Sequence, residues 1–142
     1  MTSDHGPLTV LFLDANVLIS AAWKDGCEVA QIWQMEGLRL VTSNYAMGEV
    51  QRNLHLVSQV ERLRVLMRAV EIVSFETLPE IPEAIMLPEK DRPILAGAVL
   101  AGADHLISGD KKHFGSLYGT IIRGVRITSP TELLTVLRLR LS

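Results

Sequence analysis

Residues 8–20 read LTVLFLDANVLIS, and this stretch decides the fold of the chain. Its first part, residues 8–13, is almost continuously apolar, as in a strand of a parallel sheet that is buried on both faces. Asp14 ends this run. From Ala15 to Trp23 the apolar side chains return at the spacing of an amphipathic helix. The stretch therefore predicts a buried strand that passes through a single acid into a helix.

The rest of the chain alternates short apolar runs with helical patterns. Four further strands are predicted, at residues 38–42, 71–75, 105–108 and 125–128. Helices are predicted at residues 27–36, from 44 toward 57, at residues 59–70, from Pro93 onward and from Pro130 onward. Residues 78–90 contain three prolines and predict a loop. This alternation favours an α/β fold with a parallel sheet and right-handed crossovers.

The helix that begins near Pro93 contains two glycines, Gly97 and Gly102. Each glycine weakens an isolated helix by about 1 kcal/mol relative to alanine. We therefore expect both glycines to permit close packing.

Length and charge limit the class of protein. The 142 residues, 48% of them hydrophobic, predict one compact domain over residues 1–142. A net charge of −2 does not indicate a polybasic nucleic-acid binder. The charge is unevenly distributed, because residues 1–110 carry eight basic and fifteen acidic side chains, whereas residues 111–142 carry six basic and one acidic. The basic part begins directly after Asp110.

Cysteine usage and hydropathy predict a cytoplasmic protein. Cys27 is the only cysteine, so an intrachain disulfide and a cysteine zinc cluster are both excluded. Residues 1–7, which include His5, have no basic region before the apolar stretch, and Asp14 interrupts that stretch, so we expect no signal peptide. No apolar run approaches the ~18 to 20 residues that a membrane-spanning helix needs.

Four acids lie where the carboxyl ends of the predicted strands should meet. Asp14 directly follows the first strand, and Asp110 lies two residues after the fourth. Asp91 opens the helix before the fourth strand, and Glu49 lies about two turns into the helix after the second. Carboxylates gathered at one sheet edge raise each other's pKa unless a cation intervenes, and without cysteines they suit Mg²⁺ or Mn²⁺. Each acid alone could instead cap a helix or form a turn.

The segments around these acids resemble, in order, the motifs of the PIN-domain nucleases. The segment LFLDANVLIS (11–20) resembles the family's first motif, and LVTSNYAMGEVQRNL (40–54) resembles its second. The segment EKDRPILAGAVLAGADHLISGDKKHF (89–114) resembles the third and fourth motifs, and VRITSPTELL (125–134) resembles the family's last strand and helix. The resemblance covers almost the whole chain and points in particular to VapC-like toxin ribonucleases of toxin–antitoxin pairs. It implies a three-layer α/β/α fold around a parallel sheet of about five strands.

The resemblance also implies a set of site residues and a reaction. One or two Mg²⁺ or Mn²⁺ ions would be held by Asp14, Glu49, Asp91 and Asp110. Asn16 would orient Asp14 or a water on the ion, and Ser108 occupies the position of a small hydroxyl residue. Asn16 could equally be an ordinary first-turn residue, and Ser108 could satisfy a backbone group at the strand end. The reaction would be hydrolysis of RNA phosphodiester bonds by an activated water.

Partners follow from the same resemblance. RNA would be the substrate, a small antitoxin protein the inhibitor, and a second copy of the chain a dimer partner. Lys111, Lys112 and His113 follow Asp110, and Arg92 follows Asp91, so these cations would lie beside the site and could contact phosphates unless they are simply solvated. Apolar residues at 27–36 and 59–70 could form a dimer interface or belong to the core.

Other classes of function remain as alternatives. The chain could be a PIN-fold nucleic-acid-binding or protein-interaction module with little catalysis, although the intact set of four acids argues against this. A structure-specific DNA nuclease is disfavoured because the short chain leaves little room for a duplex clamp. An enzyme with an aspartyl-phosphate at Asp14 would need a second aspartate at the position of Asn16.

Overall fold

A mixed sheet of six strands forms the centre of the protein in a computed structural model that describes residues 8–141. The strands are β1 (Thr9–Leu13), β2 (Leu38–Ser43), β3 (Val70–Val73), β4 (His105–Ile107), β5 (Ile121–Ile122) and β6 (Val125–Thr128). Their order is β3-β2-β1-β4-β6-β5, and every neighbouring pair is parallel except β5 and β6. The predicted α/β fold is confirmed, with one more strand than the five expected. Residues 1–7, with His5 and the region tested for a signal peptide, lie outside the described residues.

Helices flank the sheet. The α-helices are α1 (Ala15–Trp23), α2 (Asn44–Asn53), α3 (Val57–Met67), α4 (Arg92–Leu100), α5 (Lys111–Phe114) and α6 (Pro130–Leu141). Shorter 3₁₀ turns lie at Glu28–Gln34, Glu89–Asp91 and Gly115–Leu117. The first of these replaces the helix predicted at 27–36, where Cys27 offers no side-chain cap to the exposed backbone amides. Within the described part of the chain, no helix has the length and apolarity needed to cross a membrane.

The buried centre of the sheet is β1. Leu11, Phe12 and Leu13 have no exposed surface, which explains the continuous apolar run. A Cβ atom at Gly97 would lie 3.4 Å from the Phe12 ring, so this glycine lets α4 pack closely against β1, as predicted. The same prediction for Gly102 is wrong. Gly102 adopts a φ of +67° just after α4 and meets no other group closely, because its role is to turn the chain.

The strand that the sequence did not reveal is β5. It forms a hairpin with β6 through Arg123 and Gly124, whose φ values are 49° and 85°. A two-residue hairpin turn of type I′ needs positive φ at both central positions, and the usual signal for it is Asn-Gly or Asp-Gly. An Arg-Gly turn between a two-residue strand and its partner does not carry this signal.

The chain reverses its course across the sheet between β1 and β4. The strands β1, β2 and β3 follow one another toward one edge, and the chain then returns to β4 on the other side of β1. Ligands of open α/β sheets bind at the carboxyl ends of the strands at such a switch point. Asp14 directly follows β1, and Ser108 directly follows β4.

Arg92 fastens the long loop that connects β3 to α4. Its guanidinium group donates hydrogen bonds to the backbone carbonyls of Ile81, Pro82 and Ile85. The prediction that the Arg92 side chain is available to contact a phosphate beside the site is therefore wrong, because its guanidinium group is bound to these carbonyls. Its five N–H donors and fixed charge suit this cluster of loop carbonyl groups, of which that of Pro82 also accepts a hydrogen bond from the Ile85 amide.

Replacing Arg92 with methionine should lower the free energy of unfolding by about 2 kcal/mol, because three carbonyl groups lose a charged donor. Urea denaturation followed by circular dichroism measures this change. Arg68→Met is the matched control, since Arg68 is exposed. Equal stability of the two variants would contradict the role given to Arg92.

Candidate active site

Asp14, Asn16 and Ser108 form one hydrogen-bonded group at the switch point. Asp14 is 3% exposed, and its Oδ1 caps α1 by accepting a hydrogen bond from the Ala15 amide at 2.7 Å. Its Oδ2 accepts hydrogen bonds from Ser108 Oγ and from Asn16 Nδ2, both at 2.9 Å. The Asp14 carboxylate is therefore held in one orientation by donors from β4 and from its own helix.

Asn16 and Ser108 extend these contacts to the segment after β4. Asn16 Oδ1 accepts a hydrogen bond from the Gly109 amide at 2.7 Å, and Ser108 Oγ accepts one from the Asp110 amide at 3.2 Å. Ser108 is completely buried. Asn16 thus donates to Asp14, and Ser108 both donates to Asp14 and accepts from a backbone amide just after the strand, as its alternative interpretation expected. Their roles in the site stay predictions.

The Asp14 carboxyl group is unusually reluctant to ionise. Burial raises its pKa from the ordinary 3.8 to about 6, against the hydrogen bonds from Ser108 and Ala15, which lower it. The negative charges of Glu49 and Asp91 raise the pKa further. Without a cation, the proton on Asp14 stabilises the fold below about pH 4, and this contribution is lost as the pH rises through about 6.

A second group consists of Asp91, Asp110 and His113. Asp110 caps the short helix α5 by accepting a hydrogen bond from the His113 amide at 3.2 Å. The Nδ1 atom of His113 lies 2.9 Å from Asp91 Oδ2 and 2.9 Å from Asp110 Oδ2. Neither contact is a well-formed hydrogen bond, and both Asp91 Oδ2 and His113 Nδ1 are buried atoms without a hydrogen-bond partner among the described residues.

Electrostatics joins the two groups. Burial raises the pKa of Asp91, His113 and Lys90 lower it, and Asp110 and Glu49 raise it again. Glu49 is half-buried on α2 and lies close enough for its charge to raise the pKa of both Asp14 and Asp91. The four acids predicted from the sequence therefore act on one another, as expected for side chains that meet at one edge of the sheet.

His113 is the member that sequence reasoning missed. It was expected to contact a phosphate, whereas its ring lies between two of the acids. The sequence did contain one signal for the approach of His113 to the acids. The residue lies three positions after Asp110, and this spacing places the two side chains on one face of a helical turn.

The second group fits a divalent cation. One ligand atom from each of Asp91, Asp110 and His113 lies within 4.8 Å of the others. Buried polar atoms nearly always have a partner, so the two atoms without hydrogen bonds are those that a bound ion would satisfy. Carboxylate oxygens and an imidazole nitrogen are ordinary ligands of such ions.

Two clefts share α5 as a wall beside these acids. The first, of about 400 Å³, is lined by residues that include Asn16, Lys111 and Tyr118. The second, of about 520 Å³, is lined by residues that include Lys112 and His113. Tyr118 is fixed in place because its hydroxyl group donates a hydrogen bond to the Ser108 carbonyl at 2.7 Å. Each cleft thus has one lysine next to the acidic centre.

Comparison with known proteins bears on the fold. No protein-family model matches the chain, and no curated protein matches it in sequence. A chain in the crystal structure of VapBC2 from Rickettsia felis, bound to a DNA fragment from their promoter, is similar to it with a TM-score of 0.61. The similarity covers 85% of this chain and 98% of that chain, at 13% sequence identity. It shows that this chain shares the α/β fold of that chain.

Replacing Ser108 with alanine should raise the pKa of Asp14 above about 6, because the carboxylate loses a donor that favours its ionised form. The midpoint is read from the carboxyl ¹³C shift of Asp14 in NMR spectra of the metal-free protein. Ser20→Ala, at an exposed position of α1, should leave the midpoint unchanged. A midpoint in Ser108→Ala at or below that of the parent would refute this account of the site.

Proposed function

We propose that this protein is a metal-dependent endoribonuclease, with Asp14, Glu49, Asp91 and Asp110 as its metal-binding carboxylates. The observations that carry the proposal are the cluster of Asp91, Asp110 and His113, whose ligand atoms lie within 4.8 Å of one another, and the charges of Glu49 and Asp91, which raise the pKa of the buried Asp14. A protein that only needed to fold would gain stability by losing such a cluster. The loss of stability that the acid cluster causes is understandable if a cation neutralises the cluster during function.

The chain's own residues prepare the site for this reaction. One or two Mg²⁺ or Mn²⁺ ions would supply Lewis acidity and offset the charge of the phosphodiester. Asn16 and Ser108 hold the Asp14 carboxylate in a fixed orientation, so it does not have to reorganise when a cation binds. Glu49 carries the fourth carboxylate from α2 toward the same centre.

RNA is the proposed substrate because the surface beside the acids can follow a flexible backbone. Lys111 and Lys112 project from α5 into different clefts, and each can contact a phosphate on its side of the acids. Single-stranded RNA is flexible enough to bend into both clefts, whereas a duplex is too stiff to do so. Arg92 and Arg62 are not available in the same way, since both donate to backbone carbonyls.

Asp14→Asn and Asp110→Asn should each reduce metal-stimulated RNA cleavage by about 100-fold or more, because loss of a ligand costs at least as much as loss of its supporting contacts. The measurement is cleavage of end-labelled single-stranded RNA over a titration of Mg²⁺ or Mn²⁺. Asp25→Asn, at an exposed position, is the matched control.

Three results would count against the proposed ribonuclease or its site. Undiminished cleavage by Asp14→Asn would remove the proposed site. Tight RNA binding without metal-stimulated cleavage would support the binding-module alternative. Preference for flap DNA in a parallel assay would favour a structure-specific DNA nuclease.

The finer proposal is that the nuclease is the toxin of a type II toxin–antitoxin pair in the cytoplasm. It draws on the motif resemblance and on the similar fold in a structure described as VapBC2. The antitoxin would be a small protein that blocks the acidic site. Homodimer formation also stays a prediction. Ile32, in the first of the two segments suggested for the interface, is buried in the protomer, whereas Val57 and Val65 of α3 are exposed.

Induced expression of the parent protein in bacteria should arrest growth and produce new RNA ends, because cleavage of cellular RNA stops translation. Asp14→Asn should do neither at equal protein levels, and Asp25→Asn should behave like the parent. Sequencing of RNA ends identifies the cleaved sites. Growth arrest by Asp14→Asn without new RNA ends would contradict the toxin role proposed for the site.

A further inference from the structure

We infer that His113 is a direct nitrogen ligand of the metal ion and makes the site favour Mn²⁺ over Mg²⁺. The inference rests on the proposed function, since it concerns the same acidic centre. It adds a ligand that the four-acid motif does not contain, and it names the ion.

Distances between the side chains support direct coordination. The Nδ1 atom of His113 is 2.9 Å from one carboxylate oxygen of Asp91 and 2.9 Å from one of Asp110. Adjacent ligands of an octahedral ion with metal–ligand bonds of about 2.1 Å are separated by about 3.0 Å. The two distances therefore fit neighbouring ligands of a single ion.

Hydrogen bonding explains the same contacts less well. A single N–H group at Nδ1 cannot point at two carboxylate oxygens at once, and neither contact has the geometry of a hydrogen bond. Asp91 is 8% exposed, and its buried Oδ2 atom has no hydrogen-bond donor among the described residues. A cation that faces all three atoms satisfies each of them.

The fold holds the backbone of His113 in place. The residue lies in the first turn of α5, and its amide donates a hydrogen bond to the Asp110 carboxylate. Its side chain is 19% exposed. A ligand whose backbone is fixed in advance loses less conformational freedom when the ion binds.

The chemistry of the ligands decides which ion is favoured. Mg²⁺ is a hard ion that takes oxygen ligands almost exclusively and gives up water reluctantly. Imidazole nitrogen suits first-row transition ions better than it suits Mg²⁺, although Mn²⁺ binds it less tightly than the later ions of the series do. An imidazole added to the carboxylate ligands therefore shifts the preference of the centre from Mg²⁺ toward Mn²⁺, whereas carboxylates alone do not.

Mn²⁺ itself is the probe in the test. Electron spin-echo envelope modulation of the full chain with Mn²⁺ should show coupling to one directly bound nitrogen, and ¹⁵N labelling of histidine should change that signal. His113→Ala should abolish the coupling and weaken Mn²⁺ binding about tenfold or more in calorimetry, with Mg²⁺ affinity changed much less. His55→Ala, at an exposed histidine, is the control and should match the parent.

His113→Asn guards against a variant that simply fails to fold. Its amide oxygen can replace Nδ1 as a hard ligand, so this variant should retain Mg²⁺ binding and lose both the nitrogen coupling and the preference for Mn²⁺.

Two outcomes would overturn the inference. Mn²⁺ bound to the parent without nitrogen coupling would remove His113 from the ligands, and metal-stimulated RNA cleavage would show that the proposed function still stands. Absence of any bound Mn²⁺ would also overturn it. If cleavage is then absent with both Mn²⁺ and Mg²⁺, the proposed function fails as well.

Discussion

The hydrogen bonds that Ser108 donates to the Asp14 carboxylate and that the Gly109 amide donates to Asn16 connect the two strands between which the chain reverses its course. They join the end of β1 to the end of β4 at the place where an open α/β sheet leaves a crevice. Ser108 also accepts a hydrogen bond from the Asp110 amide, and its carbonyl accepts one from Tyr118. The position of the last acid, and of the helix α5 that follows it, thus depends on the same buried hydroxyl-bearing residue.

Charge is arranged around this centre in two layers. The whole chain carries a net charge of −2, yet without the four candidate ligands it has fourteen basic and twelve acidic residues. The acidic excess is therefore local, and Lys111 and Lys112 stand in the clefts beside it. A cation at the acids would offset the cost of ionising Asp14 and Asp91 in a buried place, which raises the pKa of both. The lysines would contact the phosphates of a bound strand.

Neighbouring cationic residues have different tasks in this structure. Arg92 immediately follows Asp91, but its guanidinium group turns away to hold the carbonyls of the long loop. Arg62 donates in the same way to the carbonyls at the end of α1. His113, three residues after Asp110, turns toward the acids instead. Adjacency in sequence does not reveal which of these side chains is free to meet a substrate, because the deciding partner lies elsewhere in the chain.

The sequence by itself determined the α/β fold, the order of the main strands and helices, and the edge of the sheet at which the four acids lie. It could do so because hydrophobic periodicity is a local property and parallel strands place their carboxyl ends together. Only the tertiary structure decided that Arg92 holds a loop and that His113 lies between Asp91 and Asp110. It also decided that Gly102 turns the chain and that β5 forms one edge of the sheet. Each of these depends on groups that approach through folding, or on a backbone angle without a local signal. The partner of a side chain is decided by distance in space, and a pattern of residue types along the chain does not contain that distance.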